Sequence, residues 1–229
     1  GLAGKPVADI RIDGAGKKVT RSDNCRVSDL SVSSDNLTFT YEAKSLPYPI
    51  DTSYYDNEKH TQADALSVIS FMDEMNYEGL SVSGLSDGYY GLTIGGEFIG
   101  RFTARELERG INMALLQNTP QYKQAMKIRQ MNEERWLKER KMREFYWVEY
   151  NLMRKTGMLW ACDEAAVDTL RKYRPHDIFL QWNGDLWLQY MHKGIREDCV
   201  NEQQNLVDRI YEQNKPIPLR IEIKKFTDL

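Results

Sequence analysis

The sequence predicts an α+β fold, in which a small antiparallel β-sheet with a packing helix is followed by a mainly helical extension. The first hundred residues contain short alternating segments separated by Gly, Ser, Asn and Asp, a pattern typical of half-buried strands joined by turns. Residues 121 to 155 contain neither Pro nor Gly, which favours a long helix. Leu219 to Lys224 alternates again, so we expect a final strand that returns to the sheet.

This change of pattern divides the chain between residues 118 and 119. Residues 1–118 are predicted to form a β-rich part with a hairpin and a helix. Residues 119–229 are predicted to form the helical extension and the C-terminal strand. With 41% hydrophobic residues the chain can bury a core without disulfides, and we expect the two parts to form one compact unit.

The first strands are predicted from alternation and turn residues. Ala8 to Asp13 alternates, the glycines of residues 14–16 provide a turn, and residues 18–20 continue the pairing. Arg26 to Val32 is expected to pair with Leu37 to Tyr41 across a polar turn.

One helix is predicted to interrupt these strands. Thr61 and Asp56 are its alternative N-caps. Its apolar residues recur at roughly helical spacing and are expected to face the core: Ala63, Leu66, Val68, Ile69, Met72 and Met75.

Residues 77 to 120 contain the clearest local signals. Leu80 to Ser83 and Gly88 to Ile94 are predicted strands, and a third follows at Glu97 to Phe102. Gly95-Gly96 can adopt the positive φ angles that a two-residue hairpin turn requires. Thr103 and Glu106 have capping-box spacing, so a helix is predicted from Ala104 to about Leu116.

The same stretch resembles the C-terminal portion of a group of bacterial SGNH/GDSL-type hydrolases. Further resemblance extends over residues 24–41, 46–51, 71–76 and 215–218, whereas residues 121 to 200 match least well. The residues that carry the resemblance within the hairpin and helix are Val82-Ser83-Gly84-Leu85, Gly88, Tyr90, Leu92, Ile94, Gly96, Gly100, Phe102, Ala104, Glu106-Leu107, Gly110-Ile111-Asn112 and Ala114.

The resemblance implies that the intact protein is an exported ester hydrolase, with acylated carbohydrate as one candidate substrate. Such enzymes use a Gly-Asp-Ser nucleophile, an oxyanion hole and an Asp-x-x-His base, and none of these motifs occurs here. His60, His176 and His192 each lack an Asp three residues earlier. We therefore assign no catalytic residue, and the implied partner is a hydrolase domain of the same polypeptide or of a separate chain.

Composition and cysteine spacing exclude several other classes. The 31 basic and 34 acidic residues nearly cancel, so no nucleic-acid partner is indicated. No run of 18 apolar residues is present, which argues against a membrane span. Cys25, Cys162 and Cys199 form no metal-ligand spacing, so we predict no metal and no cofactor. Buried free thiols are expected, with one disulfide as the alternative.

Further helices are predicted in the second half. Thr119 is a good N-cap with Pro120 at the first helical position. Asp163 to Tyr173 is a shorter helix capped by Asp163, and Glu197 to Gln213 is the last. The predicted apolar stripe of this last helix comprises Val200, Leu206, Val207, Ile210 and Tyr211.

Aromatic residues give the second functional hypothesis. Trp182, Asn183, Asp185 and Trp187 combine aromatic faces with amide and carboxylate groups around a predicted turn, as sugar-binding sites do. The other interpretation is that the tryptophans of the helical half pack in a core or an interface. The sequence thus favours a non-catalytic C-terminal part of an SGNH/GDSL-like ester hydrolase that packs against, and caps, the hydrolase domain. The alternative is a stand-alone carbohydrate- or protein-binding module.

Overall fold

The structure is a computed structural model that describes residues 5–52 and 61–226, so Asp56 and His60 lie outside the described residues. The predicted α+β class is confirmed. Among the described residues the strands are β1 (Ala8–Asp13), β2 (Lys18–Asp23), β3 (Cys25–Val32), β4 (Asn36–Ala43), β5 (Glu78–Ser83), β6 (Tyr89–Ile94), β7 (Glu97–Thr103), β8 (Ile111–Asn112) and β9 (Leu219–Lys225). The helices are α1 (Gln62–Ala65), α2 (Phe71–Glu74), α3 (Ala104–Arg109), α4 (Pro120–Val148), α5 (Glu164–Tyr173), α6 (Ile178–Tyr190) and α7 (Lys193–Gln213).

The described strands form two sheets where the sequence predicted one. The first has the order β2-β1-β5-β8, and its central pair β1 and β5 is parallel, with Ile10 opposite Leu80. The second has the order β3-β4-β9-β6-β7 and is antiparallel throughout. A parallel pair needs a long crossover connection, and residues 14–77 link β1 to β5. The alternation of side chains within a single strand does not show which strand pairs with it or in which direction, so the sequence did not predict this parallel pair.

The last strand returns to the sheet as predicted. β9 lies between β4 and β6, so that Ile223 is opposite both Leu37 and Leu92. Both sheets contribute to one apolar core, which contains Ala8, Ile10, Ile12, Leu37, Phe39, Tyr41, Leu80, Val82, Tyr90, Leu92, Ile94, Leu107, Met113, Ile221 and Ile223.

The hairpin and the capping box are both confirmed. Gly95 and Gly96 have φ angles of 58° and 86°, as a two-residue turn between β6 and β7 requires. The Glu106 N–H donates to the Thr103 hydroxyl at 3.2 Å, and the Glu106 carboxylate accepts from the Thr103 N–H at 2.7 Å. These reciprocal bonds satisfy two amides at the start of α3.

The predicted end of this helix at Leu116 was wrong. α3 stops at Arg109, because Gly110 has a φ of 93° and its N–H bonds back to the Glu106 carbonyl. The following residues, Ile111 and Asn112, pair with β5 instead. A glycine that ends a helix through positive φ is a common C-terminal signal.

The helix predicted over Ala63 to Met75 was also wrong in extent. Two short helices, α1 and α2, occupy the region, and Met72 is their only buried residue among those described. The expected apolar stripe is confirmed only in part. Ala63, Leu66 and Met72 pack in a small apolar cluster with Ile50 and Ala114. Val68, Ile69 and Met75 have exposures of 83%, 56% and 61%.

The chain separates into two compact units. One comprises Gly1–Arg129 and Gln213–Leu229, which we call the β unit, and the other comprises Gln130–Glu212, which we call the helical unit. α4 contributes residues to both. Its start is as predicted, with the Tyr122 N–H directed at the Thr119 hydroxyl at 3.4 Å.

The helical unit has its own core. Asp163 caps α5 as predicted, accepting from the Ala166 N–H at 3.0 Å. α7 begins earlier than predicted, at Lys193, and its expected stripe is only partly buried, since Val200 and Tyr211 are exposed. The buried residues of this core are Met142, Phe145, Val148, Leu152, Met153, Ala166, Leu170, Leu180, Trp187, Tyr190, Met191 and Cys199.

The cysteines are unpaired. Cys25 and Cys199 are buried, as expected, whereas Cys162 is exposed, contrary to the prediction for it. Within the parts of the chain that the structure describes, no helix combines the length and apolar character needed to cross a bilayer.

Candidate functional site

A buried glutamate organises the centre of the helical unit. α4 passes into one turn of π-helix at Glu149–Met153, where the Arg154 N–H bonds to the Glu149 carbonyl at 2.8 Å. Glu149 is 1% exposed. Its Oε1 accepts from the Trp187 indole Nε1 at 2.8 Å, and its Oε2 accepts from the Trp160 backbone N–H at 2.9 Å. A buried carboxyl group needs such donors because desolvation is costly, and here each oxygen has one.

Trp160 is held in an unusual backbone conformation. Its φ is 64°, a left-handed value that bulky residues rarely adopt and that costs about 1–3 kcal/mol. The hydrogen bond from its N–H to Glu149 is one interaction that keeps it there. The result is an indole ring that remains 46% exposed. Strain of this kind concentrates at functional positions, as do π-helical turns.

Two tyrosines flank the Trp160 ring. The centroids of Tyr146 and Tyr150 both lie 6.0 Å from that of Trp160, with an interplanar angle of 86° in each case. Edge-to-face packing of this kind is favourable. All three side chains are substantially exposed. The buried Phe145 ring also packs on Trp160, with centroids 6.4 Å apart and an interplanar angle of 32°.

The rings of Tyr146 and Trp160 border a groove of about 610 Å³, which we call the aromatic groove. This volume lies within the range typical of small-molecule sites. The groove is lined by Met142, Tyr146, Trp160, Lys193, Gly194, Arg196, Glu197, Asp198, Val200 and Asn201. All of them belong to the helical unit.

The charges along the groove are balanced. Lys193 pairs with Glu197 at 3.2 Å. Arg196 donates from Nη1 to the carbonyls of Tyr190 and Met191 at 2.6 and 2.7 Å, and its guanidinium lies 4.8 Å from the Phe145 ring centroid. Arg196 therefore stabilises the end of α6. The groove is lined by two cationic side chains, Lys193 and Arg196, and by two anionic side chains, Glu197 and Asp198.

The four sequence-predicted site residues do not share one surface. Trp182 is 66% exposed and packs edge-on against Phe179 at 5.5 Å. Asn183 is half-buried, and Asp185 is exposed. Trp187 is completely buried and donates to Glu149, so it presents no ring face to a ligand.

The predicted turn through these residues was wrong, because they lie inside α6. Arg174 forms a bidentate ion pair with Asp185, at 2.6 and 2.7 Å, and donates to the Gln181 carbonyl at 3.1 Å. A Cβ at Gly184 would lie 3.1 Å from Arg174 Nε, so the missing side chain leaves room for this guanidinium. The hydrogen bonds from Arg174 lower the pKa of Asp185.

Sequence reasoning missed Glu149, and it grouped Trp160 with the other tryptophans. One signal was available: Glu149 is the only acidic residue in the apolar segment from Phe145 to Met153. A lone carboxylate in such a segment indicates a buried hydrogen-bonding role. The bond to Trp187, which lies 38 residues away in sequence, was not accessible to local patterns.

The β unit contains a second buried carboxyl group, Glu78. It accepts from the Tyr41 hydroxyl at 2.8 Å and from the Gln121 amide at 3.3 Å, and no ion pair with it is present among the described residues. Burial raises the pKa of Glu78 to about 7 and also raises that of Tyr41. Glu78 has no exposed surface, so a substrate cannot reach it in this packing.

Neither described histidine lies in a nucleophile–base arrangement with other described residues. His176 and His192 are exposed, and no hydrogen bond to a serine or carboxylate is present for either within the described ranges. Among the described residues, no group of three His, Cys, Asp or Glu side chains is placed to hold a metal ion.

Comparisons with known proteins relate both units to one kind of enzyme. Residues 126–215 match a family described as the diltiazem deacetylase C-terminal helical domain. The whole chain is similar to a solved structure described as BT4096, a gut microbial diltiazem-metabolizing enzyme, with a TM-score of 0.91 and 36% identity over 98% of this chain. The chain spans 51% of that structure's length. No curated protein matches. The match at residues 126–215 falls largely where the resemblance to SGNH/GDSL-type hydrolases is weakest.

Proposed function

We propose that this chain is the non-catalytic C-terminal part of an SGNH/GDSL-like ester hydrolase. In this role it packs against the hydrolase domain and contributes to the wall or cap of its acyl-binding cleft. The observation that carries the proposal is the alignment of nearly the whole chain with about half of a longer enzyme, at 36% identity.

Three further observations support this role. The family matched by residues 126–215 is described as the C-terminal helical domain of a deacetylase, and deacetylation is the hydrolysis of an acyl group. The chain has no Gly-Asp-Ser and no Asp-x-x-His motif. The described histidines are exposed and lie outside any nucleophile-base arrangement in those ranges. A stand-alone binding module gains no support, because the chain aligns with part of a larger enzyme.

The proposal is tested with two proteins from one reading frame. The 229-residue chain alone should show no turnover of p-nitrophenyl acetate above the buffer rate. The full polypeptide encoded by that frame should hydrolyse the ester, and substitution of the Ser in its Gly-Asp-Ser motif should abolish the reaction.

Two results would overturn the proposal. One is turnover by the 229-residue chain alone that His176→Ala or His192→Ala abolishes. The other is a complete reading frame that contains no Gly-Asp-Ser motif.

A further inference from the structure

We propose that the aromatic groove of the helical unit is a binding site for a neutral sugar ring, with Trp160 as its stacking platform. This site is distinct from the Trp182–Trp187 segment, which the sequence analysis gave as the candidate sugar site of its alternative hypothesis. It does not depend on the ester-hydrolase proposal, because it lies wholly within the helical unit of this chain.

Trp160 differs from a core tryptophan in its exposure and its backbone conformation. A tryptophan that serves only packing is expected to be buried, as Trp187 is. Trp160 instead adopts a strained φ of 64° and leaves nearly half of its surface in solvent. The carboxyl group of Glu149 anchors its backbone through the 2.9 Å bond to its N–H. The backbone bond to Glu149 and the contacts of the indole with Phe145, Tyr146 and Tyr150 restrain the exposed ring before any ligand arrives, which reduces the entropic cost of binding.

The lining of the groove combines aromatic, apolar and polar side chains. Trp160 and Tyr146 supply aromatic surface, and Met142 and Val200 add apolar contact. α7, which also provides Val200, supplies donors and acceptors in Lys193, Glu197, Asp198 and Asn201. Sugar rings present an apolar C–H face and a periphery of hydroxyl groups, so they match a lining that combines apolar and polar groups.

The charges that line the groove favour a neutral ligand. Lys193 is paired with Glu197, and Arg196 is occupied by two backbone carbonyls. An anionic ligand would meet Glu197 and Asp198, and a cationic ligand would meet Lys193 and Arg196. A neutral ligand that both donates and accepts hydrogen bonds fits this rim best.

Gly194 has open space around the position of a Cβ. Gly194 lies on α7 and lines the groove. Among the described residues, apart from its chain neighbours and the adjacent backbone of its own helix, no atom lies within 4 Å of a Cβ built at this position. Gly194 therefore offers a way to block the site while the fold is preserved.

The experiment uses the 229-residue chain. Binding is followed by the indole N–H resonance of Trp160 in two-dimensional NMR during titration with glucose, galactose, xylose, N-acetylglucosamine and their β-1,4-linked disaccharides. We expect at least one sugar to shift this resonance saturably, with weak, roughly millimolar affinity.

Four variants separate the site from other effects. Trp160→Gly removes the ring, and Gly accommodates the positive φ angle at this position. This variant should weaken sugar binding at least about tenfold. Binding is measured by intrinsic fluorescence or calorimetry. Gly194→Phe should weaken it similarly by occlusion. Trp182→Ala and Tyr211→Ala, which remove exposed aromatic side chains that do not line the groove, are the controls and should bind as the wild type does.

Several results would overturn the proposal. These are the absence of any shift with every sugar, equal binding by the wild type and Trp160→Gly, and binding that Gly194→Phe leaves unchanged. Saturable binding of benzyl alcohol or inorganic phosphate in the groove, with no sugar binding, would assign the site to another class of ligand.

Discussion

Among the described residues, the β unit and the helical unit each bury one glutamate with no cationic partner in those ranges, yet the two carboxyl groups are satisfied in different ways. Glu149 accepts one short N–H bond on each oxygen, from Trp187 and Trp160. Glu78 accepts one short bond from Tyr41 and two long ones from Gln121. The Gln121 Oε1 atom, also in the β unit, is buried and has no hydrogen-bond partner within the described part of the chain. Glu149 therefore acts as an anchor for two tryptophans, whereas Glu78 favours the protonated form.

The largest expected loss of stability follows substitution of Glu149. Glu149→Ala leaves the Trp187 indole and the Trp160 amide without their acceptor and opens a cavity, so the free energy of unfolding should fall by roughly 3–4 kcal/mol. Urea denaturation measures this change. Glu144→Ala on the same helix removes a partly exposed ion pair with Arg140 and should cost less than about 1 kcal/mol. Equal losses in the two variants would show that Glu149 does not anchor the unit.

Glu78 should make stability depend on pH. Its folded pKa of about 7 exceeds the ordinary value of 4.5, so the folded state binds the proton more tightly than the unfolded state does. This contribution to stability is complete below pH 4.5 and is lost as the pH rises to about 7. The total loss is at most roughly 3 kcal/mol.

Glu78→Gln isolates this contribution. The amide stays neutral at all pH values, so the variant should lose the decline between pH 4.5 and 7 and should be more stable than the wild type at pH 8. Glu97→Gln, which removes an exposed partner of Lys123, should retain the wild-type profile. Identical pH profiles for Glu78→Gln and the wild type would refute the assignment.

Glycines of the two units should respond in opposite directions. Gly110→Ala forces a side chain into a φ of 93° and should cost about 1–2 kcal/mol, although the space for a Cβ is adequate. Gly194→Ala, in α7 with open space around it, should be neutral or stabilising by up to about 1 kcal/mol. Thermal unfolding of the two variants tests this contrast, which fails if both shift in the same direction.

Local chemistry explains which elements were predictable. The hairpin glycines, the capping box and the Thr119-Pro120 helix start each depend on neighbouring residues, and all three were confirmed. The overextended α3 was an error of the same local kind, because Gly110 signals a helix end that the prediction ignored.

The remaining errors come from long-range packing. Apolar spacing over residues 63–75 indicated a buried helix, but periodicity does not reveal whether a core lies on that side of the chain. The same limit applies to the site. Sequence patterns did not separate Trp160 from Trp187. Both donate to Glu149, but Trp160 is exposed in a turn with a positive φ, whereas Trp187 is buried in the core of the helical unit.

The central claim is that this chain supplies no catalytic base to the ester hydrolase of which we propose it forms a part. Its most direct test is the kcat for p-nitrophenyl acetate of the full polypeptide carrying His60→Ala, His176→Ala and His192→Ala together. We predict that kcat remains within about twofold of the wild type, because removal of a general base costs on the order of 100-fold or more. A loss of that size in a folded variant would place a catalytic histidine in this chain and contradict the account.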